Sequence, residues 1–314
     1  MQKTRRNWLI TGGAGFIGSH LVKELVRAGQ RVCVLDNFSS SSKENLSSVL
    51  RDIRLQEGDI RSLPALLEAA READVILHHA ALVSVPKSLQ NPQETAEINI
   101  QGTQNVLEAA RRNGVKRVVF ASSCAVYGNG TQIPYKETAA TDCLSPYALS
   151  KQAAEELCQF YTRVYGLETA ILRYFNVFGP GQEADCAYAA VVAKFMQLAR
   201  RGEPLLIDGD GRQERDFIHV ADIVRANLLA ADKALPGEIY NVGRGQSVSL
   251  LDLAAVMERV CGRPLQRLFR PKRAADVRIS RADISKISAL GFRPAVSLEE
   301  GLSSMWTGGE FSAF

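Results

Sequence analysis

The stretch TGGAGFIGSH, residues Thr11 to His20, governs the interpretation of this chain, because it follows a strand-like run, NWLIT, and opens a helical pattern. Its glycines Gly12, Gly15 and Gly18 recur at three-residue spacing. Glycine lets a phosphate approach the N–H groups at a helix N-terminus, where the helix dipole also favours an anion. Taken alone, the three glycines also fit a tight strand-to-helix turn. Their place at the start of a βαβ unit favours a dinucleotide-binding turn.

An acidic residue at the end of the second strand-like run, RVCVLD, supports this interpretation. Asp36 follows the glycine turn by about 20 residues, the spacing at which a carboxylate accepts a hydrogen bond from a ribose 2′-OH. Its charge also repels a 2′-phosphate, so we predict NAD rather than NADP. Asp59, in EGDI after the third strand-like run, fits either a contact with the adenine amine or a turn cap, and the sequence favours neither.

Short β-branched runs alternate with longer helical patterns over residues 7–176. The alternation predicts the α/β class, with a doubly wound parallel-sheet Rossmann fold covered by helices on both faces. We place an NAD-binding domain at residues 1–178, to which residues 216–243 return. A smaller mixed α/β C-terminal substrate lobe takes residues 179–215 and 244–314, and SSSSKEN (39–45) is interpreted as a polar loop only.

Composition limits the classes of partner. The 314 residues carry 38 basic and 34 acidic side chains without a basic run, which argues against nucleic acid. Apolar runs are too short to cross a bilayer, and a strand-like run within the first residues argues against a signal peptide, so we expect a cytoplasmic protein with no membrane partner. The six cysteines lack CxxC spacing and are expected to be reduced and structural, and we predict no metal site.

The stretch SPYALSK, residues 145–151, carries the chemistry. Tyr147 and Lys151 are four positions apart, so they share one face of a helix, and a lysine cation can lower the phenol pKa from its usual value of about 10. Ser122 and Ser123 follow a buried strand and reach the sheet edge where ligands bind in parallel sheets. Alone, the Tyr-Lys spacing fits an exposed helix pair. Together with the serines and the glycine turn it predicts proton transfer beside a dinucleotide.

In this order, the motifs TGGAGFIG, DNFSS, GDI, HHAA, SSCAVYG, YALSK, RYFNVFGPGQ and RDFIHVAD resemble the extended short-chain dehydrogenase/reductases, specifically the nucleotide-sugar epimerases. The resemblance implies three catalytic residues: Ser123, Tyr147 and Lys151. It implies an NAD site formed by Gly12, Gly15, Phe16, Ile17, Gly18, Asp36, Asn37, Asp59, Ile60, Ala80, Ala81, Leu82, Asn99, Tyr147, Lys151, Tyr174 and Phe175. It implies a site for the UDP-sugar formed by Ser84, Ser123, Asn176, Arg215, Arg273, Asp276 and Ser280.

The resemblance further implies 4-epimerisation of a UDP-hexose through a 4-keto sugar. Dehydratase relatives carry an Asp-Glu pair, and decarboxylase relatives a glutamate, in the stretch where this chain has Cys124 and Ala125. Val83 and Ser280 stand where glucose-restricted relatives carry a lysine and a tyrosine, which favours UDP-N-acetylglucosamine/UDP-N-acetylgalactosamine, with UDP-glucose/UDP-galactose also possible. The alternatives are a UDP-glucuronate 4-epimerase or decarboxylase, an NAD(P)H-dependent nucleotide-sugar reductase, and a non-catalytic dinucleotide-binding scaffold.

Two helical patterns, residues 94–112 and 146–164, are apolar beyond a single stripe. Four residues carry this excess: Ile98, Val106, Leu157 and Phe160. A two-fold interface of four helices would bury them, which predicts a homodimer. The same residues also fit helices that simply cover the sheet.

Overall fold

The computed structural model describes residues 5–182, 191–272 and 277–309. Its strands are β1 (Asn7–Thr11), β2 (Arg31–Asp36), β3 (Ile53–Glu57), β4 (Val75–His78), β5 (Arg117–Ser123), β6 (Glu168–Tyr174), β7 (Asn176–Phe178), β8 (Leu205–Asp208), β9 (Glu214–Arg215), β10 (Phe217–His219), β11 (Glu238–Val242), β12 (Val248–Ser249), β13 (Arg267–Arg270) and β14 (Ile279–Ser280). Its helices are α1 (Phe16–Arg27), α2 (Leu63–Ala69), α3 (Val85–Gln90), α4 (Pro92–Ala96), α5 (Gly102–Arg112), α6 (Pro146–Tyr165), α7 (Val191–Arg201), α8 (Val220–Lys233), α9 (Leu250–Cys261), α10 (Ser285–Ala289) and α11 (Leu298–Thr307).

Seven strands form one parallel sheet in the order β3-β2-β1-β4-β5-β6-β11. The chain moves outward from β1 to β3 and then returns to continue from β4, so the strand order reverses between β1 and β4. Ligands bind at the carboxyl ends of the strands beside such a reversal. The sheet confirms the predicted α/β class and the doubly wound Rossmann fold.

Helices cover both faces of the sheet. Side chains of α1 and α8, including Leu21 and Ile223, pack into one core, and side chains of α2, α5 and α6, including Leu66 and Leu107, pack into the other. The central strands β4 and β5 are buried on both sides, which explains why their sequences are nearly continuous apolar runs.

The C-terminal part of the chain has a separate core. Residues of α7, α9 and α11 pack around β8, including Phe195, Leu253 and Leu302. Three small sheets lie here and at the junction with the main sheet: β10-β7, β12-β9-β14 and β13-β8. The boundaries at residues 178 and 215 stay a prediction, whereas β11 and α8 belong to the main sheet and its core.

Two local expectations were wrong. SSSSKEN is only partly a loop, because Ser42 caps a 3₁₀ helix over Lys43–Val49. Residues 94–112 do not form a single α-helix, because a π-helical turn over Glu97–Gln101 separates α4 from α5 and turns the buried Asn99 toward the sheet edge.

The four residues expected at a dimer interface differ in their exposure to solvent. Val106 is completely buried beneath the sheet, and Ile98 and Leu157 pack partly against the same core. Periodicity could not distinguish these positions, because a residue that covers a sheet and one that meets a partner are equally apolar. Only Phe160 of the four is exposed, at 39%.

No helix among the residues that the structure describes combines the length and apolar character required to span a membrane.

Candidate active site

The glycine-rich turn packs tightly against the sheet. Gly12 has a φ of 69°, and a Cβ there would lie 2.6 Å from the backbone nitrogen of Ala80. A Cβ on Gly18 would lie 2.1 Å from the carbonyl oxygen of Gly12, so α1 starts directly on the turn. Gly15 precedes α1 without a side-chain cap, which leaves the helix N-terminus to an anion. The turn therefore fits a diphosphate, with Phe16 and Ile17 half-buried behind it.

Asp36 ends β2 beside this turn and is 7% exposed. Its carboxylate accepts hydrogen bonds from the N–H groups of Ala14 and Phe38, both at 2.9 Å, and from the Ser41 hydroxyl at 2.8 Å. The Asn45 amide donates to the carbonyl of Ala14 at 2.9 Å. The segment first interpreted as a polar loop thus holds both Asp36 and the glycine turn.

Asp59 caps a turn. It accepts from the Arg61 guanidinium at 3.0 and 2.7 Å, from the Arg61 N–H at 2.8 Å and from the Asn37 amide at 2.9 Å. The Arg61 hydrogen bond lowers the pKa of Asp59 to about 2, so the carboxylate is charged. The next residue, Ile60, is buried against Gly102. The contact of this segment with adenine stays a prediction.

A chain of buried hydrogen bonds runs from the end of β1 to α5. Thr11 Oγ1 lies 2.7 Å from His78 Nδ1, and His78 Nε2 lies 3.0 Å from Thr103 Oγ1. Thr103 gives its single hydroxyl proton to the carbonyl of Asn99, so His78 carries its proton on Nε2 and accepts from Thr11. Burial lowers the pKa of His78 well below its usual value, which keeps the ring neutral.

Asn99 fixes the loop after β4 that contains Ala80, Ala81 and Leu82. Its amide oxygen accepts from the Leu82 N–H at 2.8 Å. Its amide nitrogen donates to the Leu82 carbonyl at 3.0 Å and to Ser150 Oγ at 2.9 Å. Asn99 therefore joins this loop to α6, and its predicted contact with the cofactor stays a prediction.

Tyr174 ends β6 on the other side of this loop. Its hydroxyl donates to Asn227 Oδ1 at 2.9 Å, and His79 Nε2 lies 3.3 Å from the same oxygen. The rings of His79 and Tyr174 stack with their centroids 6.0 Å apart, and burial lowers the pKa of His79 to about 3. The sequence interpretation missed His79 and Asn227, because no local pattern joins residues 148 positions apart.

Ser123, Tyr147 and Lys151 come together at the carboxyl edge of the sheet. Ser123 ends β5, and Tyr147 lies in the first turn of α6, where its side chain hydrogen-bonds Ser123. Lys151 Nζ lies 5.9 Å from the centroid of the Tyr147 ring and donates to the carbonyl of Ala121 at 2.8 Å. The predicted sharing of one helix face is thus observed.

Burial dominates the acid–base properties of this trio. It raises the pKa of Tyr147 to about 12, against the opposing hydrogen bond from Ser123. It lowers the pKa of Lys151 to about 8. Both shifts favour the neutral forms, so Tyr147 can act as a base near neutral pH only where positive charge stabilises its anion.

Two serines hold the backbone of Tyr147. Ser88 Oγ accepts from the Tyr147 N–H at 3.1 Å, and Ser150 Oγ donates to the Tyr147 carbonyl at 2.8 Å. Ser150 had a local signal, since a helical serine often bonds a carbonyl one turn earlier. Ser88 had none, because it lies 59 residues away on α3.

A buried ion pair lies behind the trio. Arg173 of β6 and Glu155 of α6 are 4% and 3% exposed and form two hydrogen bonds of 2.9 and 2.7 Å. The Ser122 hydroxyl also donates to Glu155. The motifs YALSK and RYFN were both recognised in the sequence, but the pairing of Glu155 with Arg173 was not.

The predicted sugar residues Arg215 and Ser280 are paired by the register of β9 and β14. Ser280 is only 7% exposed, so it is not a solvated strand end, and its hydroxyl hydrogen-bonds the Cys124 thiol. Because Cys124 directly follows Ser123, Ser280 lies next to the segment that carries the predicted catalytic serine. Cys124 itself packs against a small apolar cluster and has a pKa raised by burial to about 11.

Asp216, which the sequence interpretation missed, joins three segments around this region. Its carboxylate accepts from the N–H groups of Arg244, Gly245 and Ala282 at 2.7, 3.0 and 3.1 Å. Complete burial raises its pKa to about 6, against these N–H donors. Its carbonyl accepts from the backbone N–H and side-chain amide of Asn176 at 3.0 and 3.2 Å. Asn176 is thereby tied to the lobe that carries Ser280.

The remaining predicted cofactor and substrate residues lie in different environments. Phe175 is 2% exposed and packs near the Tyr127 ring, with the centroids 6.3 Å apart. Ser84 caps α3. Arg273 and Asp276 lie outside the described residues.

Similar proteins give the family. Residues 8–243 match the model of the NAD dependent epimerase/dehydratase family. The chain is 35% identical over 312 residues to a UDP-N-acetyl-α-D-glucosaminuronate decarboxylase from Bacillus cytotoxicus, over 95% of this chain and 96% of that protein. It superimposes with a TM-score of 0.92 on UDP-glucose 4-epimerase with UDP-glucose from Thermotoga maritima, at 38% identity over 96% and 97% of the two chains. The TM-score is also 0.92 to UDP-N-acetylglucosamine 4-epimerase from Methanobrevibacter ruminantium in complex with UDP-N-acetylmuramic acid, at 35% identity over 97% and 99%. The chain therefore belongs to the NAD-dependent epimerase/dehydratase family, as the short-chain dehydrogenase/reductase motifs of its sequence predict.

Proposed function

We propose that the protein catalyses the 4-epimerisation of a UDP-hexose. The observation that carries this proposal is the position of the Tyr147 side chain, which hydrogen-bonds Ser123 and lies beside the Lys151 amine at the same sheet edge as the glycine turn. The reported activities of the two similar 4-epimerases support a UDP-sugar as the substrate.

The residues at the sheet edge fit NAD, the cofactor of the family. Gly12, Gly15 and Gly18 would hold its diphosphate at the N-terminus of α1, and Asp36 would accept from the adenosine ribose. When bound, NAD would supply hydride exchange with C4 of the sugar, on either face. The chain must supply everything else, which is binding, orientation and one proton transfer.

Tyr147 performs that proton transfer in both directions. As tyrosinate it takes the proton of the sugar 4-OH, while the Ser123 hydroxyl is hydrogen-bonded to the Tyr147 oxygen and to O4 of the sugar. The Lys151 ammonium stabilises the tyrosinate. After the 4-keto sugar has turned over in its pocket, Tyr147 returns the proton to O4 of the epimer. The net reaction is neutral in protons and electrons.

The carboxylates near the trio support epimerisation rather than dehydration, which requires a further acid and base. Among the described residues, both buried carboxylates beside the site are engaged: Glu155 by Arg173, and Asp216 by three backbone N–H groups. Cys124, with its raised pKa, is a poor acid and a poor base near neutral pH. A reaction on a UDP-uronate is the second candidate, because the decarboxylase from B. cytotoxicus is 35% identical.

UDP-N-acetylglucosamine is the proposed hexose, because the small side chain of Ser280, buried beside Cys124, stands where glucose-restricted relatives carry a tyrosine. Ser280→Tyr would place a ring in this buried position and oppose an acetamido group by roughly 1–3 kcal/mol, a loss of about 5- to 150-fold in turnover of that substrate. Ser280→Ala, which keeps the position small, is the matched control. Equal losses on UDP-glucose and UDP-N-acetylglucosamine would show that Ser280 does not select the sugar.

The proposed reaction is tested by incubating the purified protein, without added NAD, with UDP-glucose, UDP-N-acetylglucosamine and UDP-glucuronate. NMR of the products is expected to show C4 epimers, because cofactor that is regenerated in each cycle need not leave. Tyr147→Phe is expected to lose at least about 10²-fold in turnover while it keeps its bound NAD. Product formation that consumes NADPH, or release of CO₂ from the uronate, would replace epimerisation by reduction or decarboxylation.

A homodimer is the proposed assembly. Leu149, Phe160 and Val164 of α6 are 58%, 39% and 51% exposed and form an apolar face. A groove beside this face is lined by Ile100 and Leu157. Two-fold pairing of α6 with its copy would bury both.

The described cysteines are all free thiols: Cys33, Cys124, Cys143, Cys158 and Cys261. Free thiols suit a reducing compartment, which supports the proposed cytoplasmic location.

A further inference from the structure

The Lys151 amine and the Glu155 carboxylate are neighbours in the interior. They lie one helical turn apart on α6 and are anchored to adjacent residues of β5: Lys151 donates to the carbonyl of Ala121, and Glu155 accepts from the hydroxyl of Ser122. Both side chains belong to residues that are less than 5% exposed. A Lys-Glu pair at this spacing closes into an ion pair when the carboxylate has no stronger partner.

Arg173 is that stronger partner. Its guanidinium contacts both oxygens of Glu155, at 2.9 and 2.7 Å, in the parallel arrangement that makes arginine–carboxylate pairs strong. It also lies over the Tyr127 ring, 4.8 Å from the centroid, and donates to the carbonyl of Glu137 at 3.3 Å. These further contacts hold the guanidinium in place independently of Glu155.

We propose that Arg173 is a positioning residue that keeps Glu155 from pairing with Lys151, so that the Lys151 ammonium remains available to stabilise the Tyr147 anion. The inference rests on the proposed role of Tyr147 as the base. Without Arg173, the Glu155 carboxylate neutralises Lys151 and adds a negative charge beside the tyrosinate. Turnover then requires a higher pH.

The other ionisable groups around the trio do not share this role. They are His78 at the end of β4, His79 directly after it, Cys124 after β5, Cys158 of α6, Tyr127 and Arg215 of β9. Burial keeps both histidines neutral and both thiols protonated, and it raises the pKa of Tyr127 to about 12. Arg215 is left in place in every variant below. Glu155 and Arg173 are therefore the charges whose removal reports on the proposal.

Two single variants are expected to shift the pH dependence of kcat in opposite directions, and the double variant to leave it nearly unchanged. Arg173→Met leaves the carboxylate to Lys151, so the acid limb of the kcat profile moves to higher pH. Glu155→Gln leaves an extra positive charge near the tyrosinate, so the limb moves to lower pH. The double variant removes both charges and returns the limb close to that of the unmodified protein. Adding or removing one charge near a buried group shifts its pKa by roughly one unit.

The experiment measures kcat against pH for the three variants of the NAD-loaded protein as purified. A second readout is the absorbance of tyrosinate in a pH titration, from which the titration of the same variant carrying Tyr147→Phe is subtracted. Opposite shifts in the two single variants and their cancellation in the double variant support the proposal. Losses in kcat without opposite shifts overturn it, because a purely structural pair lowers activity without changing the titration of Tyr147.

Two further outcomes are separated by design. If Arg173→Met does not fold, the comparison of Glu155→Gln with the double variant tests the proposal. The proposal requires the acid limbs of their kcat profiles to lie at different pH, whereas a purely structural role does not. If Tyr147→Phe turns over normally, the proposed base is wrong and the proposed function fails. If Tyr147→Phe is inactive but the limbs do not move, only the role of Arg173 fails.

Discussion

Replacing Lys151 by methionine removes the positive charge beside Tyr147 and keeps most of the side-chain volume. The Lys151 ammonium lies 5.9 Å from the centroid of the Tyr147 ring. At an effective dielectric constant of about 20, a charge at this distance stabilises an anion by roughly 2.8 kcal/mol, or about two pKa units. Because the pKa of Lys151 is lowered only to about 8, the amine is charged near neutral pH and this stabilisation is present there.

Lys151→Met is therefore expected to lose about 100-fold in kcat near neutral pH, since the tyrosinate becomes that much rarer. The deficit should shrink as the pH rises, because a higher pH deprotonates Tyr147 without help from a cation. Initial rates of C4 epimer formation across the alkaline range measure both effects. Lys116→Met, at an exposed lysine paired with Asp74, is the control that should be unchanged.

Two results would refute the electrostatic argument. A loss below about threefold near neutral pH would mean that the Lys151 charge does not reach the tyrosinate. A large loss that is the same at every pH would mean that Lys151 acts by holding the cofactor or the carbonyl of Ala121 instead.

Lys151 also affects stability, because its pKa is lowered to about 8 in the folded protein. Below pH 8 the buried charge lowers the free energy of unfolding by about 3 kcal/mol, and this cost fades as the pH rises from about 8 to 10.5. Urea unfolding should therefore find Lys151→Met more stable than the unmodified protein near neutral pH but not at high pH. Gly12→Ala and Gly29→Ala both place alanine at a positive φ, of 69° and 70°, but only Gly12→Ala drives a Cβ into Ala80. Calorimetry should show that Gly29→Ala loses about 1 kcal/mol of folding stability and that Gly12→Ala loses more. Gly29→Ala should keep its bound NAD, and Gly12→Ala should not. Phe160→Glu places a charge on the exposed face of α6, and sedimentation should find monomers with an unchanged fold if that face pairs two chains, or unchanged association if it does not.

The features that the sequence predicts are those whose physics is local. The turn at Gly12, the strand end at Asp36 and the four-residue spacing of Tyr147 and Lys151 each depend on a few consecutive residues and one element type. The alternation of strands and helices then brings these segments to one sheet edge, because parallel strands share a carboxyl end. The fold class, the family and its cofactor follow from these patterns.

The features that the sequence does not predict depend on contacts between distant segments. Glu155 meets Arg173 across 18 residues, and the Asp216 carboxylate meets Ala282 across 66. A carboxylate in a sequence has the same appearance whether it is solvated, paired or buried, and only tertiary packing decides among these states. The prediction that Val106 lies at a dimer interface was wrong for a related reason, because an apolar position can face either the protein's own sheet or a partner.

A 4-epimerisation takes one proton from O4 and returns it to O4, so it requires a single group that exchanges protons with the sugar. A second acid or base near the same carbon would favour elimination of water from the keto sugar. The described surroundings of Tyr147 agree with this requirement: His78 and His79 are kept neutral by burial, and the carboxylates of Glu155 and Asp216 are engaged by a guanidinium and by backbone N–H groups. These polar groups cannot take a proton from the sugar without breaking a buried hydrogen bond or entering a disfavoured charge state. The same interactions that stabilise the fold therefore leave Tyr147 as the single proton-exchanging group that the proposed epimerisation requires.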